Sequence, residues 1–80
     1  MLNVTRELIN RVAYTVKQLR KAKGLSQEEL AERASLDRTY ISGVERGVRN
    51  ITLESLELII FALDCSLESF LKKLLEDQPD

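Results

Sequence analysis

From Arg38 to Arg46 the chain reads Arg-Thr-Tyr-Ile-Ser-Gly-Val-Glu-Arg. On a helix, at about 100° per residue, Ile41 and Val44 fall on one side. Thr39, Ser42, Gly43 and Arg46 then cluster opposite, with Arg38 and Tyr40 flanking them. That outer face holds guanidinium groups, small hydroxyls and a glycine, and no carboxylate. A merely solvated helix face mixes both signs of charge. A face that meets nucleic acid wants forked donors for base edges and phosphates, hydroxyls, and room for close backbone approach. The residues that could contact bases are therefore Arg38, Thr39, Tyr40, Ser42 and Arg46.

Little else in the chain can do chemistry. It has no histidine and one cysteine, Cys65, so neither a zinc site nor a nucleophile–histidine pair can be assembled. No glycine-rich phosphate loop is present. An enzyme is not expected, nor a cofactor, a metal or a small-molecule ligand. Cys65 cannot form an internal disulfide, fits a reducing cytoplasm, and reads as a small, partly buried apolar residue. The longest apolar run, Leu58 to Leu63, is too short to span a bilayer, and no signal peptide is visible in MLNVTRELIN. A cytoplasmic protein without membrane contact is expected.

Net charge is −1 and the isoelectric point about 5.5, which at first argues against a polyanionic partner. Its distribution argues otherwise. Residues 1–49 hold ten Lys/Arg against six acids, a surplus of four positive charges. Residues 50–80 hold two lysines against seven acids, a surplus of five negative ones. A basic front and an acidic rear suit a protein that presents one side to nucleic acid.

The elements that must position this face can be read from caps and staples. Ser26 with Glu29 three residues later makes a capping box ahead of Leu30, Ala31 and Ala34. Asp37 is a natural N-cap for the next helix, and Ala34-Ser35-Leu36 is a turn short enough for two crossed helices. Leu8, Ile9, Val12, Val16 and Leu19 repeat at helical spacing, which predicts a first helix over about Thr5 to Lys23, ended by Gly24. The caps Ser26, Asp37, Thr52 and Ser66 are each preceded by an apolar residue: Leu25, Leu36, Ile51 and Cys65. Each also has an apolar residue at N4: Leu30, Ile41, Leu56 and Phe70. That is the hydrophobic-staple spacing four times. It predicts an all-α chain of five helices in one domain over 1–80, with the helix-turn-helix at 26–47. Eighty residues leave a core near the lower limit for independent stability.

Residues 15–63 resemble the phage-repressor type of helix-turn-helix domain. The stretch QEELAERASLDRTYISGVERGVRN is similar to the small controller proteins of restriction–modification systems. Ser35 departs from the pattern, because many such proteins have glycine in the turn. The resemblance implies a five-helix repressor-like fold and a homodimer on a partly palindromic operator in double-stranded DNA. It also implies control of the protein's own gene and of the restriction gene, with RNA polymerase a candidate further partner. Arg20 and Glu45 both fall on inward sides of their helices, as a partly buried pair or as two separate snorkelling side chains. The resemblance implies the pair.

Phosphate contacts are expected from Arg49 and Asn50, beside the recognition helix, and from Gln27 at a helix N-terminus. The resemblance points the same way for Asn50. Gln27 also reads as an ordinary exposed polar residue. The helix from Thr52 to Leu63 is apolar nearly all round, with Leu53, Leu56, Ile60 and Leu63 in one stripe and Leu58, Ile59, Phe61 and Ala62 outside it. Such a helix needs cover on more than one side. A second subunit is the simplest cover, so dimerisation helices are expected within 52–76. Phe61, Leu67 and Phe70 are candidate interface residues, with filling of the monomer core as the alternative. Competing functions are a phage-type repressor, an antitoxin, or a protein-interaction module that reuses the fold.

Overall fold

A computed structural model describes residues 6–76 and contains five helices and no strand among them. They are α1 Glu7–Ala22, α2 Gln27–Ala34, α3 Arg38–Glu45, α4 Leu53–Ala62 and α5 Leu67–Glu76. The expected start of the first helix at Thr5 lies outside the described residues. Helix α2 packs on α3 and α4, while α1 packs on α3 and α5. The centre is filled by Val16, Leu30, Ile41, Ile59, Leu63 and Phe70. All four staple pairs belong to this core or pack against it.

Local chemistry fixes where the helices begin. Ser26 Oγ accepts from the Glu29 N–H at 3.0 Å, and Glu29 Oε1 accepts from the Ser26 N–H at 2.8 Å. Thr52 Oγ1 and Ser66 Oγ each accept from the N–H three residues on, at 3.0 Å. Asp37 departs from expectation. Its backbone is extended as a cap requires, yet its side chain accepts no capping bond. The α3 entry is set instead by Leu36 and Ile41 packing at the core.

The first four helices each stop at a left-handed residue: Gly24 (φ 72°), Ser35 (φ 58°), Gly47 (φ 71°) and Asp64 (φ 56°). At Ser35 the turn is a Schellman motif. The Leu36 N–H donates to Ala31 O at 2.9 Å and the Ser35 N–H to Glu32 O at 3.2 Å. Ser35 therefore carries the strain that a glycine would avoid. At Gly47 the positive φ favours glycine, and a Cβ there would also sit 2.9 Å from Asn10 Oδ1, so the exposed Asn10 side chain would have to turn aside.

The apolar stripes of α1, α4 and α5 are narrower than the sequence suggests. Leu8 is exposed. On α4 the buried residues are Ile59, Ile60 and Ala62, whereas Leu53 and Phe61 are each 82% exposed. On α5 only Phe70 and Leu74 are buried. Phe70, a candidate interface residue, is 1% exposed. It closes the core from one end and has no ring surface to offer a partner. Phe61 and Leu67 do, and both line an open apolar groove with Leu58, Ile60 and Cys65, rimmed by Glu54 and Glu57.

Candidate nucleic-acid interface

Helix α3 has one acidic residue, Glu45, and its side chain is only 2% exposed. Arg20 of α1 holds it inward. Arg20 Nε donates to Glu45 Oε2 at 2.7 Å and Nη2 donates to Oε1 at 3.1 Å. The third donor, Nη1, reaches Leu25 O at 2.7 Å. A two-toothed guanidinium–carboxylate pair is strong and directional. Here it joins α1 to α3 and removes the negative charge from the outer face.

The outward side chains that remain on α3 and its C-cap are cationic or hydroxylic, with the exposed Asp37 carboxylate at the N-cap and the apolar Val48 beside them. Arg38, Thr39, Arg46, Arg49 and Asn50 are exposed, and Ser42 is half-buried. Thr39, Arg46 and Arg49 line one shallow groove together with Gly43 and Val48. Gly43 itself is not open, as the helical wheel suggests, but buried. Its missing Cβ would lie 3.4 Å from Arg49 Cβ. The Val48 N–H donates to Gly43 O at 3.1 Å, so the segment after α3 folds back over this glycine.

Two side chains sit differently from what spacing alone suggests. Gln27 is half-buried in the seam between α2 and α3. Its Nε2 donates to Glu45 Oε1 at 3.0 Å, and its Oε1 accepts from Arg38 Nη1 at 3.5 Å. The second contact is at the outer limit of a hydrogen bond. Tyr40 is half-buried and packs against the core, and Arg49 lies over its ring at 4.4 Å from the centroid.

Arg6 belongs to the site as well, because its Nη2 donates to Gly47 O at 2.9 Å and pins the end of the recognition helix. No spacing rule could have pointed to it, since the contact spans 41 residues.

Residues 16–70 match the helix-turn-helix family. Over 62 residues the chain is 44% identical to control protein C.SmaI of Serratia marcescens, covering 78% of this chain and 74% of that one. The chain belongs to the controller-protein family of helix-turn-helix proteins. The fold agrees over nearly its whole length. The restriction–modification controller protein C.Esp1396I superposes with a TM-score of 0.85 at 46% identity, covering 88% of this chain and 92% of that one. C.Esp1396I has also been solved as a tetramer in complex with its natural 35 base-pair operator, and in that form it superposes on this controller chain with a TM-score of 0.85.

Proposed function

We propose that this controller protein is a sequence-specific transcriptional regulator that binds double-stranded DNA in the cytoplasm as a homodimer. The observation that carries the reading is the outer side of α3. Its single carboxylate is locked inward on Arg20, which leaves Arg38, Thr39, Ser42 and Arg46 to meet bases. Arg49 and Asn50 stand beside them for phosphate. Gln27, at the start of α2, is assigned to the same backbone grip through its placement, although its amide is already shared with Glu45 and Arg38.

The dimer is assigned to α4 and α5 within residues 52–76. Phe61 and Leu67 flank the open apolar groove there, where an unpartnered aromatic is costly and a second copy would cover it. Two subunits related by a twofold axis would place two copies of α3 in successive major grooves of a partly palindromic operator. C.SmaI and C.Esp1396I carry names that tie them to restriction–modification control. By that kinship the regulated genes are this protein's own and the endonuclease gene, with RNA polymerase a further partner. No catalytic role is assigned.

Selection of bound duplexes from a random pool tests the reading directly. Enrichment of a sequence with twofold symmetry is the expected result. A pool that stays random while the protein shifts no duplex at low salt would overturn it. That outcome would favour a protein-interaction module built on the same fold.

A further inference from the structure

Tyr40 lies on the recognition helix, but its hydroxyl is buried and has no hydrogen-bond partner. A phenol that reads a base must bring that oxygen to the groove, and this one points away from solvent. The face of the same ring is occupied by the Arg49 guanidinium, 4.4 Å from the centroid. Arg49 has no carboxylate within salt-bridge distance among the described residues, where the ion pairs are Arg11–Glu7 and Arg20–Glu45. Its stem lies against Gly43, where any side chain would meet Arg49 Cβ at 3.4 Å. The Val48 N–H bond to Gly43 O, at 3.1 Å, clips the adjoining backbone to α3. Ring, glycine and clip together hold an unpaired cation in the groove that Thr39 and Arg46 also line.

We infer that Tyr40 is a positioning residue: its ring is the platform that holds Arg49 ready for a phosphate, and its hydroxyl takes no part in reading bases. This deepens the DNA-binding reading above and rests on it. An arginine left free must give up its rotamer freedom on binding, whereas a stacked planar guanidinium has already given up much of it. Stacking at an exposed site is worth about two- to fivefold in an equilibrium. The preference concerns phosphate, so it acts on all duplexes alike.

The test uses the full chain and a random-sequence DNA duplex, with affinity measured across a salt series. Tyr40→Phe keeps the ring and should bind within about twofold of wild type with an unchanged salt slope. Tyr40→Leu should bind several-fold more weakly. Its slope should change little, because Arg49 keeps its charge and still neutralises the phosphate once bound. Arg49→Ala should weaken binding at least as much and make the slope shallower by about one per protomer, and Tyr40→Leu should add nothing further in the Arg49→Ala background.

Arg49→Lys keeps the charge, loses the planar stack and sits on the surface, so it serves if Tyr40→Leu does not fold. It should weaken binding in the wild-type background without loss of melting temperature. The inference is overturned if Tyr40→Phe weakens binding as much as Tyr40→Leu, or if Tyr40→Leu or Arg49→Lys binds as wild type. Ring-current shifts of the Arg49 side-chain protons read the stack without DNA. They should be upfield in wild type and Tyr40→Phe, and their absence in wild type would also overturn it. Wild-type protein that binds no duplex while keeping those shifts would instead locate the failure in the DNA-binding reading, and the phosphate role of Arg49 would fall with it.

Discussion

Glu45→Ala is the sharpest probe of how α3 is held. The Glu45 carboxylate accepts three hydrogen bonds: from Arg20 Nε at 2.7 Å, Arg20 Nη2 at 3.1 Å and Gln27 Nε2 at 3.0 Å. Removing it leaves the Arg20 side chain, only 11% exposed, with Leu25 O as its one remaining acceptor. Breaking a buried pair costs about 3–5 kcal/mol. The surviving Leu25 bond and the residual exposure of Arg20 place this case near the lower end, at about 3 kcal/mol. For a domain of this size that corresponds to a fall in Tm of roughly 12–24 °C. Most of the loss is the penalty on a stranded guanidinium, not the worth of the pair. Replacing both partners, as Arg20→Met with Glu45→Leu, should therefore recover much of it. Thermal melts followed by circular dichroism, with urea titrations in parallel, would measure all three variants. A Glu45→Ala protein that melts within a degree or two of wild type would refute the reasoning. A double variant no more stable than the single one would refute the account of where the cost lies.

Arg38→Ala should weaken binding to a selected operator far more than binding to random duplex, because a guanine-paired guanidinium is worth about 1–3 kcal/mol of discrimination. Equal losses on both would remove Arg38 from base reading. Phe61→Glu should give a folded monomer in sedimentation experiments, whereas Phe70→Ala should cost about 3–5 kcal/mol of stability, as truncation of a buried aromatic does. An unchanged dimer with glutamate at position 61 would take that residue out of the interface. Ser35→Gly should raise stability by about 0.5–1 kcal/mol: relief of the left-handed conformation is worth about 1–2, less the greater freedom of glycine when unfolded. A lower Tm would show that the Ser35 side chain contributes something the backbone geometry does not reveal.

The backbone N–H of Ser26, then its hydroxyl and more weakly Arg33, hold the Glu29 carboxyl below its ordinary value of 4.5. A carboxyl depressed in the folded state adds stability above its unfolded value, and that increment is lost as pH falls through the folded one. Glu29→Gln should therefore narrow the stability gap to wild type as pH drops below about 4.5. A gap constant from neutral to acid pH would contradict the assignment.

What could be read from the sequence follows how local each signal is. Caps and staples act within four residues, so the helix starts at Ser26, Thr52 and Ser66 were legible, as were the stops at Gly24 and Gly47. The Arg20–Glu45 pair was legible as two inward charges of opposite sign on neighbouring wheels. The role of Phe70 was not, because a helix apolar on several sides has no periodicity to say which side meets the core. Asp37 has the right residue type and backbone for a cap, yet packing at Leu36 and Ile41 sets that entry without its side chain. The wheel places Gly43 on the outer face and Tyr40 at its flank, but the fold-back of Val48 and Arg49 covers Gly43 and sets Arg49 over the Tyr40 ring. Arg6 touches Gly47 across 41 residues, beyond any local rule.

One consequence of α3 concerns how such a protein could change its target. Within eight residues and the cap that follows, α3 interleaves two sets of side chains. Ile41, Gly43, Val44 and the Glu45 carboxylate are committed to packing and to the ion pair. Arg38, Thr39 and Arg46 are exposed and bear on no part of the core. The first set is constrained by the fold alone, whatever DNA is bound. The second is free to vary with the operator at almost no thermodynamic penalty to the protein. A regulator and its binding site can therefore drift together by exchanges at those outward positions, while the scaffold and its melting point stay as they were. Transplanting Arg38, Thr39 and Arg46 between relatives should accordingly move a binding preference from one chain to another without disturbing the core.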